Sequence, residues 1–373
     1  MKKMLVLLLG LIMISSLVFF GCSKKEDAAS SEAALIGLAM PETHVERWIQ
    51  DGNSLKAEAE ARGYRAEVNW ANADQNIQNQ QIESYLTNGA KLLIIGSVNE
   101  GVISAVASAA RDEAIVIAYD RLITGTGDYN YYITFDNFKV GQFQGQGIVD
   151  GLNLKAATAA DPKYITLFAG SPTDNNAFFF YDGAMDVLTP YIDSGVLKVI
   201  GPYPKTSADR ATFQQIATEN WTPSIAKTRM ENLLSNAARD VTLDAVLSPN
   251  DTLARAILEA CDADAKYAGG NLPIAPGQDA ELASVQSIKD GRQYMTVFKD
   301  TRALAKGAIA LADALLKGTT PNIPGARLDT TTYTPGPGIP AVNSYLLEPV
   351  IVTKDNYQSI LIDSGFYKAS DIQ

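Results

Sequence analysis

The residues able to do chemistry fall in short clusters, each following a brief apolar run. The clusters are Pro41 to Trp48, Asp120-Arg121, Asp136-Asn137, Ser171 to Asn176, Asn250-Asp251, Gln278-Asp279 and Lys299-Asp300. Within them Arg47, Asp120, Arg121, Asn176, Asn250, Asp279 and Lys299 supply hydrogen-bond donors and acceptors in balance. Trp48, and further along Trp221, supply flat apolar faces. Such a mixture suits an uncharged polyhydroxylated ring, whose hydroxyls each donate and accept and whose C–H faces lie well on an indole. Each residue alone has an ordinary structural use. Asp120, Asp251 and Asp279 can cap helices, Arg47 and Lys299 can be paired or solvated cations, and the tryptophans can be core. The weight lies in their joint occurrence at one position in the rhythm of the chain.

That rhythm comes from the elements that must hold them. Short β-rich runs at Leu35 to Met40, Ala66 to Trp70, Lys91 to Ser97, Ala114 to Tyr119 and Tyr131 to Phe135 alternate with helical patterns near 44–62, 74–88 and 99–111. The alternation then repeats. Strands are expected at Tyr164 to Ala169, Val196 to Ile200, Ala245 to Leu247, Leu272 to Ala275 and Tyr294 to Phe298, with helices near 176–189, 223–238, 251–263 and 280–290. Two βαβ series imply two α/β lobes with parallel sheets. Thr301 to Lys317 reads as a helix, Thr319 to Pro340 as a long crossing segment rich in Thr, Pro and Gly, and Ser344 to Val352 as a final strand. In open parallel sheets ligands bind beyond the carboxyl ends of the strands, where these clusters fall.

The first residues bear on compartment. Lys2 and Lys3 precede the apolar run Leu5 to Phe20, and Gly21-Cys22 precedes the polar Ser-Lys-Lys-Glu-Asp, the order of a secretory signal. Ending it on cysteine resembles a lipoprotein signal, so residues 1–21 are expected to be removed and Cys22 to carry lipid. Residues 22–33 read as a tether. Removing 21 of the 373 residues leaves 352, enough for two lobes, and the loss of two lysines moves the formal charge from −11 to −13. So acidic a surface speaks against nucleic-acid partners. With one histidine, His44, and only Cys22 and Cys261 as cysteines, His-based metal sites, Ser-His-Asp triads with a spare base and a supporting disulfide are not expected, and Cys261 reads as a buried free thiol. No cofactor is expected.

The runs "IGLAMPETHVERWIQDG", "IAYDRLI", "YYITFDNFKVG", "GSPTDNNA", "ENWTPSIAKTRMENLL", "SPNDTLARAI", "GQDAELASVQSIKDGRQYMTVFKD" and "SYLLEPV", in order from about residue 34 onward, resemble the sugar-binding type I periplasmic binding proteins. Within that family they are similar to the xylose-binding and multiple-monosaccharide-binding group. The resemblance implies two Rossmann-like lobes joined by a three-segment hinge: an N-terminal lobe of residues 34–137 plus 300–334 and a C-terminal lobe of 138–299 plus 335–373. It implies ligand contacts from Arg47, Asp120 and Arg121 in the first lobe and from Asn176, Asn250 and Asp279 in the second. Lys299 would stand at a hinge crossing, with Trp221 and Trp48 stacking on the ring. Departures from the group's pattern are Thr43 and His44 before "ERW", extra residues between Asn153 and Pro162, and Asp300 after the lysine.

The implied function is extracytoplasmic capture of a monosaccharide, D-xylose or D-glucose first, galactose and arabinose after. Delivery would be to the permease and ATPase of an ABC importer, with a chemoreceptor as a further partner and the binding protein acting as a monomer rather than an enzyme. Three rivals are set against it. A glycosidase would draw an acid and nucleophile from Asp120, Asp251 and Asp279. A repressor core would need a basic helix-turn-helix where this chain has its signal. The same scaffold would serve a nucleoside or a furanosyl signal.

Overall fold

The computed structural model of this chain describes residues 33–372, Val102 excepted. The expected signal segment 1–21, lipidated Cys22 and nearly all of the tether lie outside the described residues. Among the described residues no helix is long and apolar enough to cross a membrane.

The first lobe is built on β1 (Leu35–Met40), α1 (Arg47–Ala61), β2 (Arg65–Trp70), α2 (Gln75–Thr87), β3 (Leu92–Ile95), α3 (Ser104–Arg111), β4 (Ile115–Tyr119) and β5 (Tyr131–Phe135). β1 and β3–β5 are almost wholly buried, as strands covered on both faces must be. Ile36, Leu38 and Met40 point to the face covered by Trp48, Leu55 and Ala59 of α1, whereas Leu35 and Ala39 point to the face covered by Ile82 and Tyr85 of α2. This is the two-residue alternation of a strand serving two helix layers.

The second lobe repeats the scheme with α4 (Asn137–Gly151), β6 (Lys163–Leu167), α5 (Asn175–Asp193), β7 (Leu197–Val199), α6 (Arg210–Ile216), α7 (Pro223–Ser235), β8 (Ala245–Leu247), α8 (Asp251–Asp262), β9 (Pro276–Gln278), α9 (Leu282–Lys289) and β10 (Met295–Phe298). The chain then returns through α10 (Thr301–Leu316), which packs on α1 and on the first sheet. It ends with β11 (Ala326–Asp329), β12 (Ser344–Leu347) and β13 (Val350–Thr353).

The first sheet runs β2-β1-β3-β4-β5-β12-β11, and the second comprises β7-β6-β8 and β9-β10-β13, linked by a parallel bridge between Ala245 and Ile274. Both lobes therefore carry five parallel strands in the order 2-1-3-4-5, and in the first lobe β12 adds a sixth parallel strand beside β5. In that order the switch point between the first and third strands opens a crevice at the carboxyl edge. Each sheet is closed at one end by an antiparallel strand, β11 or β13.

Two expectations need correction. The single strand Ser344 to Val352 is two strands in different sheets. β12 pairs with β5 in the first lobe and β13 with β10 in the second, so the chain changes lobe at Glu348-Pro349. The proline, lacking an N–H, breaks the ladder there. Assigning all of 335–373 to the second lobe is therefore wrong for Ser344–Leu347. Nor is Thr319 to Pro340 simply a crossing segment, because Ala326–Asp329 forms the edge strand β11, whose Leu328 is half exposed. An edge strand of mixed charge carries no hydrophobic alternation to announce it.

Candidate ligand-binding site

Between the lobes lies a polar cavity with about 310 Å³ of space not filled by atoms, part of it open to solvent. Its wall includes all nine residues expected from sequence: Arg47, Trp48, Asp120, Arg121, Asn176, Trp221, Asn250, Asp279 and Lys299. Asp174, Phe180, Gln278 and Val45 complete it. Strand ends place most of them. Asp120-Arg121 follows β4, Asn250 follows β8, Asp279 follows β9 and Lys299 follows β10, while Arg47-Trp48 and Asn176 open α1 and α5.

In the first lobe, Arg47 is 5 % exposed and forks between two carboxylates. Its Nε donates to Asp51 Oδ2 at 2.9 Å and its Nη1 to Asp120 Oδ1 at 2.7 Å. Asp51 in turn accepts from the Tyr119 hydroxyl. Burial alone would lower the Arg47 pKa, but Asp120, Asp51 and Asp279 outweigh it and hold the guanidinium charged well above its usual range. For Asp120 burial pushes upward, yet Arg47 and Lys299 bring the net shift below the ordinary carboxylate value. Asp51, buried more deeply than its partner compensates, is raised to about 6. Arg121 donates to Ser97 O at 3.0 Å and Glu42 Oε1 at 2.8 Å, and its Nε lies 3.0 Å from Asp174 Oδ2. Both guanidinium groups sit over the Trp48 ring, 4.9 and 5.1 Å from its centroid.

From the second lobe, Asp279 Oδ1 pairs with Lys299 Nζ at 2.9 Å, and Arg47 Nη1 of the first lobe lies 3.8 Å from the same oxygen, too far for a hydrogen bond. That oxygen keeps its accepting capacity, as does Gln278 Oε1, whose amide donates to Pro249 O at 2.7 Å. Trp221 Nε1 donates to Asp174 Oδ2 at 3.0 Å. Across the lobes, Asn176 Nδ2 donates to Asp120 O at 2.7 Å, and Glu100 Oε2 accepts from Asn175 N at 2.7 Å.

The structure also decides between the capping and cavity uses of the aspartates. Neither Asp120 nor Asp279 caps a helix. Asn250 is the cap of α8, accepting from Leu253 N at 3.0 Å, and Asp300 caps α10. Asp120, Trp221 and Asp279 have φ of 61°, 55° and 93°, a region costing non-glycine residues of order 1–3 kcal/mol each. Asp120 is held in it by three donors to its own carbonyl, from Tyr132, Thr134 and Asn176. Strain maintained at three cavity residues marks a site whose side-chain directions matter.

Sequence reasoning did not single out Asp174, Phe180 or Gln278 as contacts. Asp174 and Gln278 stood inside clusters already noted. Phe180 belongs to the run Phe178 to Phe180, in which nothing in the sequence says which ring faces the cavity. Among the described residues no group of His, Cys, Asp and Glu could hold a metal ion, and Cys261 is a buried free thiol whose pKa burial pushes up to about 12.

A pair of doubly wound lobes gripping a small polar cavity between their carboxyl edges defines a two-lobed α/β solute-binding protein. Residues 36–320 match the family described as periplasmic binding protein domain, and the chain belongs to that family. It is 44 % identical over 348 residues to the multiple sugar-binding periplasmic receptor ChvE of Rhizobium radiobacter, covering 93 % of this chain and 94 % of the relative. It is 36 % identical over 346 residues to the D-xylose-binding periplasmic protein of Escherichia coli K12, covering 92 % and 94 %. Among solved structures it is similar to an ABC transporter solute-binding protein of Clostridium phytofermentans with bound β-D-glucose. That match has TM-score 0.81 and 39 % identity, covering 91 % of this chain and all of the other.

Proposed function

We propose that this protein captures a single neutral monosaccharide, D-xylose or D-glucose first and D-galactose next, between its lobes and presents it to an ABC importer outside the cytoplasm. The observation that carries the reading is the cavity's charge balance. Arg47, Arg121 and Lys299 face Asp120, Asp174 and Asp279, and Trp48, Phe180 and Trp221 lie among them. Paired charges leave no net attraction for an ion yet offer strong donors and acceptors to hydroxyls, and rings offer a face to C–H groups. The relatives named above bind sugars by name, and the Clostridium structure holds glucose, which supports the same choice. On this reading Arg47, Trp48, Asp120, Arg121, Asn176, Trp221, Asn250, Asp279 and Lys299 are the ligand contacts. The chain crosses between lobes near Asp136, Lys299 and Glu348.

Binding and closure are one equilibrium, since a sugar that touches both lobes favours the arrangement in which they meet. The reading includes a lipid anchor at Cys22, a monomeric state, no catalytic turnover and a chemoreceptor as a second partner. Calorimetry against xylose, glucose, galactose, arabinose, a nucleoside and a cyclic furanosyl diester tests it. One or more of the aldoses should bind at one site per chain, return chemically unchanged, and raise the melting temperature by several degrees at a hundredfold excess over Kd, where linkage contributes about 2.7 kcal/mol. Binding confined to the non-sugars, or conversion of the sugar, would overturn it.

A further inference from the structure

Beneath the cavity, and not part of its wall, Asp251 is completely buried in the first turn of α8. Its Oδ2 accepts from Glu281 N at 2.9 Å and from Thr296 Oγ1 at 3.0 Å, and its Oδ1 accepts from Gln293 Nε2 at 2.8 Å. Thr296 Oγ1 also accepts from Ala280 N at 3.2 Å. The two backbone N–H groups that follow Asp279 are thus fixed by one carboxylate, one directly and one through the threonine hydroxyl. The residues so held, Asp279 and Ala280, are consecutive non-glycine residues at positive φ, 93° and 50°. A turn of that kind relaxes unless its surroundings over-determine it. Gly277 leaves the space for this, since a Cβ there would lie 1.9 Å from Asp251 Oδ1.

We propose that Asp251, acting with Thr296, is a positioning residue that fixes the direction of the Asp279 carboxylate and thereby which sugar hydroxyl the second lobe reads. The inference rests on the monosaccharide reading above. Asp279 Oδ1 stands against Lys299 and Arg47 with accepting capacity to spare, so a rotation of the 279–280 turn would move the acceptor off its hydroxyl while leaving the fold intact. What passes from Asp251 to the ligand is geometry, and its signature is discrimination at one hydroxyl rather than a uniform loss of affinity.

The test uses the full chain, whichever of D-xylose, D-glucose and D-galactose binds it tightest, and the monodeoxy derivatives of that sugar. Asp279→Ala identifies, by calorimetry, the deoxy position at which discrimination disappears. Asp251→Asn and the milder Thr296→Val should weaken the parent sugar on the order of tenfold, about the worth of one well-made hydrogen bond. They should also lose discrimination at that same position, with Thr296→Ser restoring it and apo melting temperature reporting folding independently. Wild-type affinity and an unchanged deoxy pattern in Thr296→Val would overturn the inference while leaving the sugar reading in place. So would a loss spread equally over all deoxy positions, which would mark mere structural damage. Failure of the unmodified chain to bind any of the three sugars would instead strike the monosaccharide reading itself, and this inference with it.

Discussion

At the scale of single residues, the site is a set of buried charges that hold one another in place. Arg47 is the hub, because its fork joins Asp51, anchored by Tyr119, to Asp120 at the cavity. Removing one partner of such a pair leaves the others charged and desolvated, which typically costs about 3–5 kcal/mol. Arg47→Met should therefore lower stability by roughly that amount and abolish sugar binding. Denaturant unfolding and calorimetry check it, and a variant of unchanged stability would mean that the carboxylates find another partner. The cavity residues themselves were legible because strand-end position and residue type coincide over several strands at once, whereas a single pair such as Asp136-Asn137, whose aspartate caps α4, has an ordinary use. The supports of the cavity residues were not legible. Asp51 and Glu42 are acids whose burial depends on which helix face and which loop meet the sheet, information no local pattern contains. Phe180 was hidden for the opposite reason, being one apolar residue in an apolar run.

At the scale of elements, the pairing of α4 with α5 shows where the pattern failed and why. α4 carries Gly141, Gly145, Gly147 and Gly151, a composition that argues against a helix on propensity and left it unrecognised. The glycines are there for close approach. A Cβ on Gly141 would lie 2.0 Å from Phe180 O, and one on Gly183 of α5 would lie 2.0 Å from Phe138 O, so the two backbones touch. Packing at this distance overrides propensity, and it also fixes the N-terminal half of α5, from which Asn176 and Phe180 reach the cavity. Neither glycine has positive φ, so an alanine there is excluded by space alone. Gly183→Ala should destabilise by at least the 1–3 kcal/mol of ordinary overpacking and weaken sugar binding in parallel, read as a drop in melting temperature with a rise in Kd. An alanine variant with wild-type melting would show that the helices part without penalty. β11 and the break at Glu348-Pro349 escaped notice for a related reason, since edge position and change of sheet are properties of neighbours rather than of the segment.

At the scale of the whole molecule, the two-lobed plan was readable because the βαβ series occurs twice, whereas the way the lobes meet was not, because it depends on contacts between distant loops. One such contact carries the single histidine. His44, in the first lobe before α1, places Nε2 2.6 Å from Glu42 Oε2 and 3.0 Å from the carbonyl of Asn220, which belongs to the second lobe. The groups facing it are therefore Glu42, Arg121 beyond Glu42, and Asn220. The hydrogen bond to Glu42 raises the His44 pKa most, burial opposes it, the Glu42 charge and the Asn220 carbonyl add to the rise, and Arg121 subtracts a little. Glu42 is shifted the other way: burial would raise it, but His44 and Arg121 bring it below the usual value, so it stays ionised where His44 titrates. A raised histidine contributes stability that is complete below the unfolded value of about 6.5 and is lost as pH climbs through the folded value. Part of that stability depends on Asn220 being in reach, which requires the lobes to be together. The melting temperature should therefore decline as pH rises from about 6.5 through the raised value, because the stabilisation by the imidazolium paired with Glu42 and Asn220 is then lost. His44→Asn should flatten this decline and change the melting temperature little at pH values above the raised one, where the wild-type ring is neutral. Melting temperatures across that range decide the matter, and an identical pH slope in the variant would show that the proton linkage lies elsewhere in the buried carboxylate network.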